Sequence, residues 1–225
     1  MGLNSYQRIN LYDTRNFDKE PFLHIRIDDK ALEKISYPPR LPFMTSLAFS
    51  SNGKLLLVGT AGDVHYILDA FDGTLLFRLE GFAGLEGGKT GREGGMVPTR
   101  GISGEEVGWT PDSKFVVGGS LDGKVHVWDL SDETKVPQLR PGDEAVALQP
   151  VVTLDGLSSA TRCVKFNPRY HMMSTAGAEL VRLVTKDNDF LLTSLFRHSG
   201  YPTIAAGTAR AESIRAKHQK CNSLM

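Results

Sequence analysis

The sequence predicts an all-β protein, a partial β-propeller made of short antiparallel strands in repeated four-stranded units. Turn signals recur at ten-residue steps, and short apolar and β-branched runs lie between them. The whole pattern then returns in register sixty residues later. A β-sandwich also has short, evenly spaced strands, but it has no reason to repeat in register, so the propeller is the better interpretation.

The first complete unit is marked by three turn signals, Asn52-Gly53, Gly62-Asp63 and Asp72-Gly73. Asn-Gly and Asp-Gly pairs readily adopt the positive φ angles that tight hairpins need. Apolar runs with β-branched and aromatic residues separate these turns, as expected for antiparallel strands. We therefore predict a meander of four strands, at residues 46–50, 54–60, 64–70 and 74–80.

The second complete unit repeats this arrangement, with turn signals at residues 111–113, 122–123 and 131–133. The two units align without a gap, so that Asp69 of the first unit corresponds to Asp129 of the second. The predicted strands of the second unit are residues 106–110, 114–120, 124–130 and 135–140.

Two partial units flank the complete ones. The segment INLYD (residues 9–13) matches VHVWD (residues 125–129), and a further strand is predicted at residues 21–27. Near the other end, residues 163–181 match the first half of a unit. Each unit forms a small sheet that cannot bury its apolar face alone, so neighbouring units are predicted to stack as propeller blades.

These units divide the chain into two predicted regions. Residues 1–181 are predicted to form two full four-stranded blades and two partial blades, with a glycine-rich inter-blade loop at residues 82–104. Residues 182–225 are predicted to be a divergent, poorly ordered tail, because nothing in them continues the blade pattern.

Six side chains occupy positions that we interpret as structural: Asp13, Asp69, Ser120, Asp122, Trp128 and Asp129. Trp128 and Asp129 form the dipeptide that ends the third strand of a propeller repeat. Ser120 and Asp122 lie near Trp128 in the repeat, and we predict a hydrogen-bond network that fixes a blade turn. A hydrolytic site is less consistent with the sequence, which has no Gly-x-Ser-x-Gly nucleophile motif.

The glycine-rich segment raises a second hypothesis, because residues 83–90 fit a loose phosphate-binding pattern that ends in Gly-Lys-Thr. Such a loop needs a helix that starts at the lysine, and the glycines after Lys89 make a poor first turn. We therefore interpret this segment as a surface loop in which Lys89, Arg92 and Arg100 form a possible partner-contact site.

Composition excludes several classes of function. The chain has 26 basic and 26 acidic residues, so it lacks the excess positive charge typical of nucleic-acid binding. No apolar run approaches the length of a membrane span. Its two cysteines are far apart and lack zinc-ligand spacing. We predict no catalytic residue, no cofactor, no metal and no small-molecule substrate; protein partners are expected instead.

The sequence motifs of the repeats, taken in order, resemble those of one WD40 family. The matching segments are INLYDTRNFDKEPF, the unit from LAFSSNGKLLLVGT to ILDAFDGTLL, WTPDSKFVVGGSLDGKVHVWDL and VKFNPRYHMMSTA. The sequence is similar to the WD-repeat subunit shared by the COMPASS histone H3 lysine methyltransferase complex and the cleavage and polyadenylation factor. The resemblance runs from about Asn4 to Val181, and family members carry further blades before the point where this chain begins.

This resemblance implies a nuclear, non-catalytic scaffold. The expected partners are the catalytic subunit of the histone methyltransferase, subunits of the polyadenylation factor and RNA polymerase II. The implied role links histone methylation to mRNA 3′-end processing and transcription termination. Two alternatives stay open: an adaptor of another complex, such as a substrate receptor of a ubiquitin ligase, and a truncated fragment without function.

Overall fold

The computed structural model describes residues 2–3, 8–16, 18–34, 41–85, 104–132, 136–157, 159–169, 172–177 and 181–185. These residues form four β-sheets and one helix, α1 (Lys30–Glu33). The all-β prediction is therefore confirmed. Within the described ranges no helix is long and apolar enough to cross a membrane.

The first sheet contains β1 (Gly2–Leu3), β2 (Arg8–Leu11) and β3 (Leu23–Arg26), which pair antiparallel in that order. Strand β3 lies within the predicted segment 21–27, and β2 overlaps the predicted segment 9–13 but begins one residue earlier. Along β2 the apolar side chains alternate with polar ones, so that Ile9 and Leu11 face the next sheet.

The second sheet confirms the four strands predicted for the first complete unit: β4 (Met44–Phe49), β5 (Leu55–Thr60), β6 (His65–Asp69) and β7 (Leu75–Leu79). They form an antiparallel meander with a register shift near Thr45 in β4 and another between Ile67 and Leu68 in β6. Gly53 and Gly73 have φ angles of 72° and 76° in the two tight turns, which is why glycine follows Asn52 and Asp72 there.

The third sheet corrects one predicted strand. Strands β8 (Val107–Trp109), β9 (Phe115–Gly119) and β10 (Val125–Asp129) lie within predicted segments. The fourth strand was predicted at residues 135–140, but residues 136–140 are irregular. Pro137 has no N–H to donate to a ladder, and the strand that pairs with β10 is instead β12 (Val152–Leu154).

Residues 136–151, which we name the return segment, lead back to the second sheet before β12 begins. Within it, β11 (Val146–Leu148) pairs in parallel with β7 and adds a fifth strand to that sheet. The Glu80 N–H donates to the Leu148 carbonyl oxygen at 3.0 Å. The return segment therefore covers the edge of one sheet and ties it to the next.

The fourth sheet contains β13 (Cys163–Phe166), β14 (Met172–Ala176) and β15 (Val181–Thr185) in antiparallel order. Strand β15 pairs with β14 as far as Thr185. The predicted end of the blades at residue 181 is too early, because the sheet continues into the predicted tail. Residues 186–225 lie outside the described part of the chain.

Three apolar cores join the four sheets in chain order. The first core packs Ile9 and Ile25 of the first sheet against Tyr66 and Leu68 of the second. The second core lies between the second and third sheets and has Trp128 in its interior. The third core packs β9 and β10 against Val164 and Met173 of the fourth sheet. Face-to-face packing of successive small sheets confirms the partial propeller.

Candidate functional site at the junction of the two central sheets

Trp128 joins the two central sheets. Its side chain is fully buried at the end of β10, in the core shared by the second and third sheets. The indole Nε1–H donates a hydrogen bond to the Glu80 carbonyl oxygen at 3.0 Å, just after β7. A buried indole needs such an acceptor, so this bond fixes the ring and couples the two sheets.

Three further rings surround Trp128: His65, Phe82 and His126. Phe82 stacks on His65, with ring centroids 4.4 Å apart and an interplanar angle of 20°. It meets Trp128 edge to face at 5.6 Å. Phe82 begins the glycine-rich segment, so this segment starts from an anchored aromatic contact and not as a wholly exposed loop.

His65 is neutral at the pH of the cell. Complete burial lowers its pKa from 6.5 to about 3, because charge is unfavourable in a dry core. Its Nδ1 atom accepts a hydrogen bond from the Thr60 N–H at 3.1 Å. Burial also lowers the pKa of His126, although the nearby Asp122 carboxylate opposes this shift. Burial therefore disfavours the charged form of both histidines.

Ser120 and Asp122 lie beside this aromatic group. The Ser120 hydroxyl contacts the backbone of Ala83, accepting from its N–H at 3.1 Å. Burial raises the pKa of Asp122, but hydrogen bonds from Ser120 and from the Lys124 N–H outweigh it, so the net pKa is lowered. The structure thus brings Ser120, Asp122 and Trp128 to one junction, where they connect turn and strand.

The other three predicted structural residues do not converge there. Asp69 and Asp129 are the last residues of β6 and β10, and Asp13 lies two residues after β2, so the three belong to different sheets. Each accepts a hydrogen bond from a backbone N–H two residues later, at 2.9, 2.7 and 2.8 Å respectively. These are turn-capping contacts. The Arg15 N–H and the Asn16 side chain lower the pKa of Asp13.

A buried polar cluster, which was not predicted from the sequence, lies between the first and second sheets. Asp29 caps α1 by accepting from the Ala31 N–H at 3.0 Å. Its Oδ2 atom accepts from the Tyr66 hydroxyl at 3.0 Å and from Arg78 Nε at 2.8 Å. Burial and the adjacent carboxylate raise the pKa of Tyr66. Asp29 before α1 is a recognisable helix-cap residue in the sequence. Nothing in the sequence indicates that Tyr66 and Arg78 would be its hydrogen-bond partners.

The predicted partner-contact residues Lys89, Arg92 and Arg100 lie outside the described residues. At the near end of their segment, Gly84 packs against the backbone of Gly62, where an added Cβ would lie 2.1 Å from the carbonyl carbon. Only glycine fits this approach. Among the described side chains, no group of three or more His, Cys, Asp or Glu could hold a metal ion.

Comparison with known sequences identifies one repeat of a known family. The family described as "WD domain, G-beta repeat" matches residues 100–129, which span β8 to β10 and include Trp128 and Asp129. The chain contains a WD40 repeat. The third sheet therefore contains the WD40 repeat, and Ser120, Asp122 and Trp128 lie within the matched residues. The arrangement of all four sheets is consistent with a partial WD40 propeller.

Relatives resemble this WD40-repeat chain over most of its length. It is 36% identical to an uncharacterized WD repeat-containing protein of Schizosaccharomyces pombe, over 80% of this chain and 48% of that protein. It is 33% identical to WD repeat-containing protein 82 of Drosophila melanogaster, over 78% of this chain and 43% of the relative. It is 32% identical to COMPASS component SWD2 of Saccharomyces cerevisiae, over 75% and 43% respectively. The chain spans about half the length of these relatives.

Proposed function

We propose that this WD40-repeat chain is a non-catalytic scaffold subunit of a nuclear histone H3 lysine methyltransferase complex of the COMPASS type. The observation that carries this proposal is the 32% identity to COMPASS component SWD2, which extends over 75% of the chain. The similarity extends over 169 residues, so it covers packed sheets and the surfaces that they present.

The chemistry of the junction supports a scaffold. Its two histidines have lowered pKa values, its tryptophan is enclosed, and its serine is bonded to backbone. General acid–base catalysis needs a titratable group that is open to substrate and tuned near the working pH. The junction residues instead hold neighbouring blades in register, which is what a docking surface requires.

The inner strands supply one such surface. Strands β4, β8 and β13 line a hollow of about 400 Å³ that includes Phe49, Trp109 and Phe166. Phe49 is 48% exposed, and Trp109 is held by a hydrogen bond from its Nε1–H to the Ala48 carbonyl oxygen at 3.1 Å. Fixed, partly exposed aromatic side chains are favourable contacts for a protein partner.

Affinity purification of the endogenous tagged chain, followed by quantitative mass spectrometry, tests the proposal. We expect the catalytic subunit of the methyltransferase to co-purify, and the eluate to methylate histone H3 on lysine. The matched control is Trp128→Ala, which opens the junction and should lose these partners. A purification that contains subunits of a ubiquitin ligase and no methyltransferase would instead identify an adaptor of a different complex.

The proposal extends to mRNA 3′-end processing and termination through the family resemblance. We expect imaging to locate the tagged chain in the nucleus, and we expect polyadenylation-factor subunits and RNA polymerase II in the same purification. Depletion of the protein should increase transcription beyond polyadenylation sites, measured by sequencing of nascent RNA. Normal termination after depletion, together with lost histone methylation, would restrict the role to the methyltransferase complex.

A further inference from the structure

The turn between β4 and β5 contains the one Asn-Gly pair in the sequence, Asn52-Gly53. We name residues 50–55 the Asn-Gly turn. Its tip is open to solvent, because residues 51–54 are all exposed. Gly53 has a φ angle of 72°, and a Cβ added there would meet nothing within 4 Å. Without a Cβ, the main-chain nitrogen of Gly53 is accessible to the preceding side chain.

The side chain of Asn52 is folded towards that nitrogen. Its Oδ1 atom accepts a hydrogen bond from the Lys54 N–H, two residues later, at 3.0 Å. This contact defines an Asx-turn, in which the side chain takes the place of a residue in a backbone turn. The Asx-turn brings Cγ of Asn52 over the peptide bond between residues 52 and 53. The carbon and the nitrogen of an intramolecular reaction therefore lie side by side in the folded chain.

A second hydrogen-bond donor also faces Oδ1 of Asn52. The Ser50 hydroxyl donates to it at 2.7 Å. Ser50 is 4% exposed, and the Leu55 N–H donates to its Oγ atom at 2.9 Å, so the hydroxyl is held in place. Negative charge develops on a carboxamide oxygen when a nucleophile attacks the adjacent carbon, and fixed donors stabilise that charge. The Asn-Gly turn thus supplies two donors where an attack on Cγ needs them.

One hydrogen bond opposes such an attack. The Gly53 N–H donates to the Ser50 carbonyl oxygen at 2.9 Å, and the nitrogen must lose this proton before it can attack. The tip of the turn is exposed, so hydroxide can reach the proton. A hydrogen bond between neutral groups is weaker than hydrogen bonds to a developing charge, so the two donors on Oδ1 outweigh it.

We propose that Asn52 is a site of spontaneous deamidation in the folded chain. Hydroxide removes the Gly53 amide proton, and the electron pair left on the nitrogen forms a bond to Cγ of Asn52. The bond between Cγ and Nδ2 then breaks, and Nδ2 takes a proton from water and leaves as ammonia. The product is a cyclic succinimide. No oxidant or reductant takes part, and the hydroxide is regenerated.

Water then opens the succinimide in one of two ways. Attack at Cγ breaks the bond from Cγ to the Gly53 nitrogen and gives aspartate. Attack at the main-chain carbonyl carbon of residue 52 breaks the original peptide bond and gives isoaspartate, in which the main chain runs through the former side chain. In both cases the Gly53 nitrogen regains a proton, and residue 52 gains a negative charge.

The aspartate product is compatible with the turn. Asp112 occupies the equivalent position between β8 and β9. Its Oδ1 atom accepts from the Thr110 hydroxyl at 2.7 Å and from the Lys114 N–H at 3.2 Å. These contacts correspond to the two that Oδ1 of Asn52 makes, so a carboxylate can form both of them in this type of turn.

The isoaspartate product is not compatible with the turn, because it lengthens the main chain by one carbon. The preceding residue, Ser51, donates its N–H to Ser113 Oγ at 2.6 Å, which connects the Asn-Gly turn to the β8–β9 turn. A longer main chain displaces one side of this contact. Conversion to isoaspartate should therefore loosen the contact between the second and third sheets.

Peptide mass spectrometry of the aged full chain tests the proposal. The chain is kept folded in mildly alkaline buffer, and replacement of the side-chain amide by a carboxylate is followed at each asparagine. Asn16 is the internal control, because it is exposed in a turn and its Nδ2 donates to Asp13 at 2.9 Å, but Phe17 follows it. We expect Asn52 to convert at least about tenfold faster than Asn16. Similar rates at the two positions overturn the proposal.

Gly53→Ser is the matched variant. Ser113 occupies the equivalent position in the third sheet with a φ angle of 55°, so this type of turn accepts serine. The serine side chain hinders the approach of Cγ to the nitrogen, so conversion of Asn52 should slow at least about tenfold. An unchanged rate, in a variant whose circular dichroism shows the same fold, refutes the proposed attack.

Two comparisons test whether the folded turn promotes the reaction. Ser50→Ala removes the donor at 2.7 Å, so conversion should slow about threefold or more. The folded chain should also convert at least as fast as the chain unfolded in urea, because only the folded chain holds both donors in place. Faster conversion in Ser50→Ala or in urea would show that the turn protects Asn52, which contradicts the proposal.

Formation of isoaspartate should also lower the stability of the chain. Anion exchange separates the converted protein, because it carries an additional negative charge. The isoaspartate fraction is then compared with freshly prepared Asn52→Asp, which has the same charge and the normal main chain. We expect a lower midpoint of thermal unfolding for the isoaspartate fraction. Equal midpoints would overturn the predicted loosening between the second and third sheets.

Discussion

Nε of Arg78 lies 2.8 Å from Oδ2 of Asp29. The two residues are 49 positions apart in the chain, and their ion pair joins the first two blades. The Asp29 side chain is 1% exposed and that of Arg78 is 13% exposed. Arg78 also contacts Glu80 at 2.5 Å, and Tyr66 donates to the same Asp29 oxygen. Because every member has a partner, the pair fixes how the first sheet meets the second.

Breaking this pair should be strongly destabilising. Asp29→Asn removes the charge and leaves the Arg78 guanidinium without its buried partner, at a cost of about 3 kcal/mol in the free energy of unfolding. Equilibrium unfolding in urea, followed by tryptophan fluorescence, measures this change. The double variant Asp29→Leu with Arg78→Met should lose less than Asp29→Asn alone, since it leaves no buried charge unpaired.

An exposed ion pair provides the control for that experiment. Lys34 and Glu144 also connect distant segments, with Nζ and Oε1 2.6 Å apart, but their side chains are 65% and 54% exposed. We expect Lys34→Ala to leave the urea midpoint unchanged, because solvent screens the pair. An effect as large as that of Asp29→Asn would mean that the connection itself, and not burial, determines the stability.

Trp128 should be the most sensitive single position of the junction between the second and third sheets. Trp128→Ala removes a fully buried indole and its hydrogen bond to Glu80, and should cost about 3–5 kcal/mol. Trp128→Phe keeps a ring in the core and should cost less. Urea unfolding monitored by circular dichroism measures both variants without relying on the deleted fluorophore. A loss below about 1 kcal/mol for Trp128→Ala would place the indole outside the stabilising core.

Local chemistry made most of the blades predictable. Tight turns such as Asn52-Gly53 and Asp72-Gly73 set the hairpin positions by themselves, so β5 to β7 lie within the predicted segments and β4 begins only two residues early. The predicted position of the fourth strand of the third sheet was wrong, because that position depends on pairing between distant segments. The return segment first joins β7, and only then does β12 reach β10. No local pattern in residues 135–140 indicates that the chain pairs with β7 before it returns to β10.

The candidate sites were predictable to a smaller extent. Ser120, Asp122 and Trp128 follow each other within one repeat, so their common location could be expected from the sequence. The Asp29–Arg78 pair is made by residues 49 positions apart. Its assembly depends on how whole sheets pack, which residue spacing along the chain does not specify.

Acidification should destabilise the protein through His65. In the folded chain its pKa is about 3, whereas in the unfolded chain it is close to 6.5. Between these values the unfolded state binds a proton that the folded state excludes, so stability falls as the pH decreases. The expected slope from this group is about 1.4 kcal/mol per pH unit. Urea unfolding at pH 7, 6, 5 and 4 should show a shallower slope for His65→Gln than for the unchanged protein.

Two glycines with similar backbone angles separate conformational strain from steric contact. Gly123 and Gly142 have φ angles of 83° and 91°. An added Cβ at Gly142 meets nothing within 4 Å, so Gly142→Ala should cost only the left-handed penalty of about 1–2 kcal/mol. At Gly123 the Cβ would lie 2.0 Å from the Leu157 carbonyl oxygen, in the turn between β9 and β10.

Gly123→Ala should therefore cost about 2 kcal/mol more than Gly142→Ala, because the loop at residue 157 must move in addition. Both variants are compared by urea unfolding under the same conditions. Leu157 donates its N–H to the Gly123 carbonyl oxygen at 2.9 Å, so displacement of the loop also breaks a hydrogen bond. Equal losses for the two substitutions would show that the loop yields freely and that this contact does not hold the third and fourth sheets together.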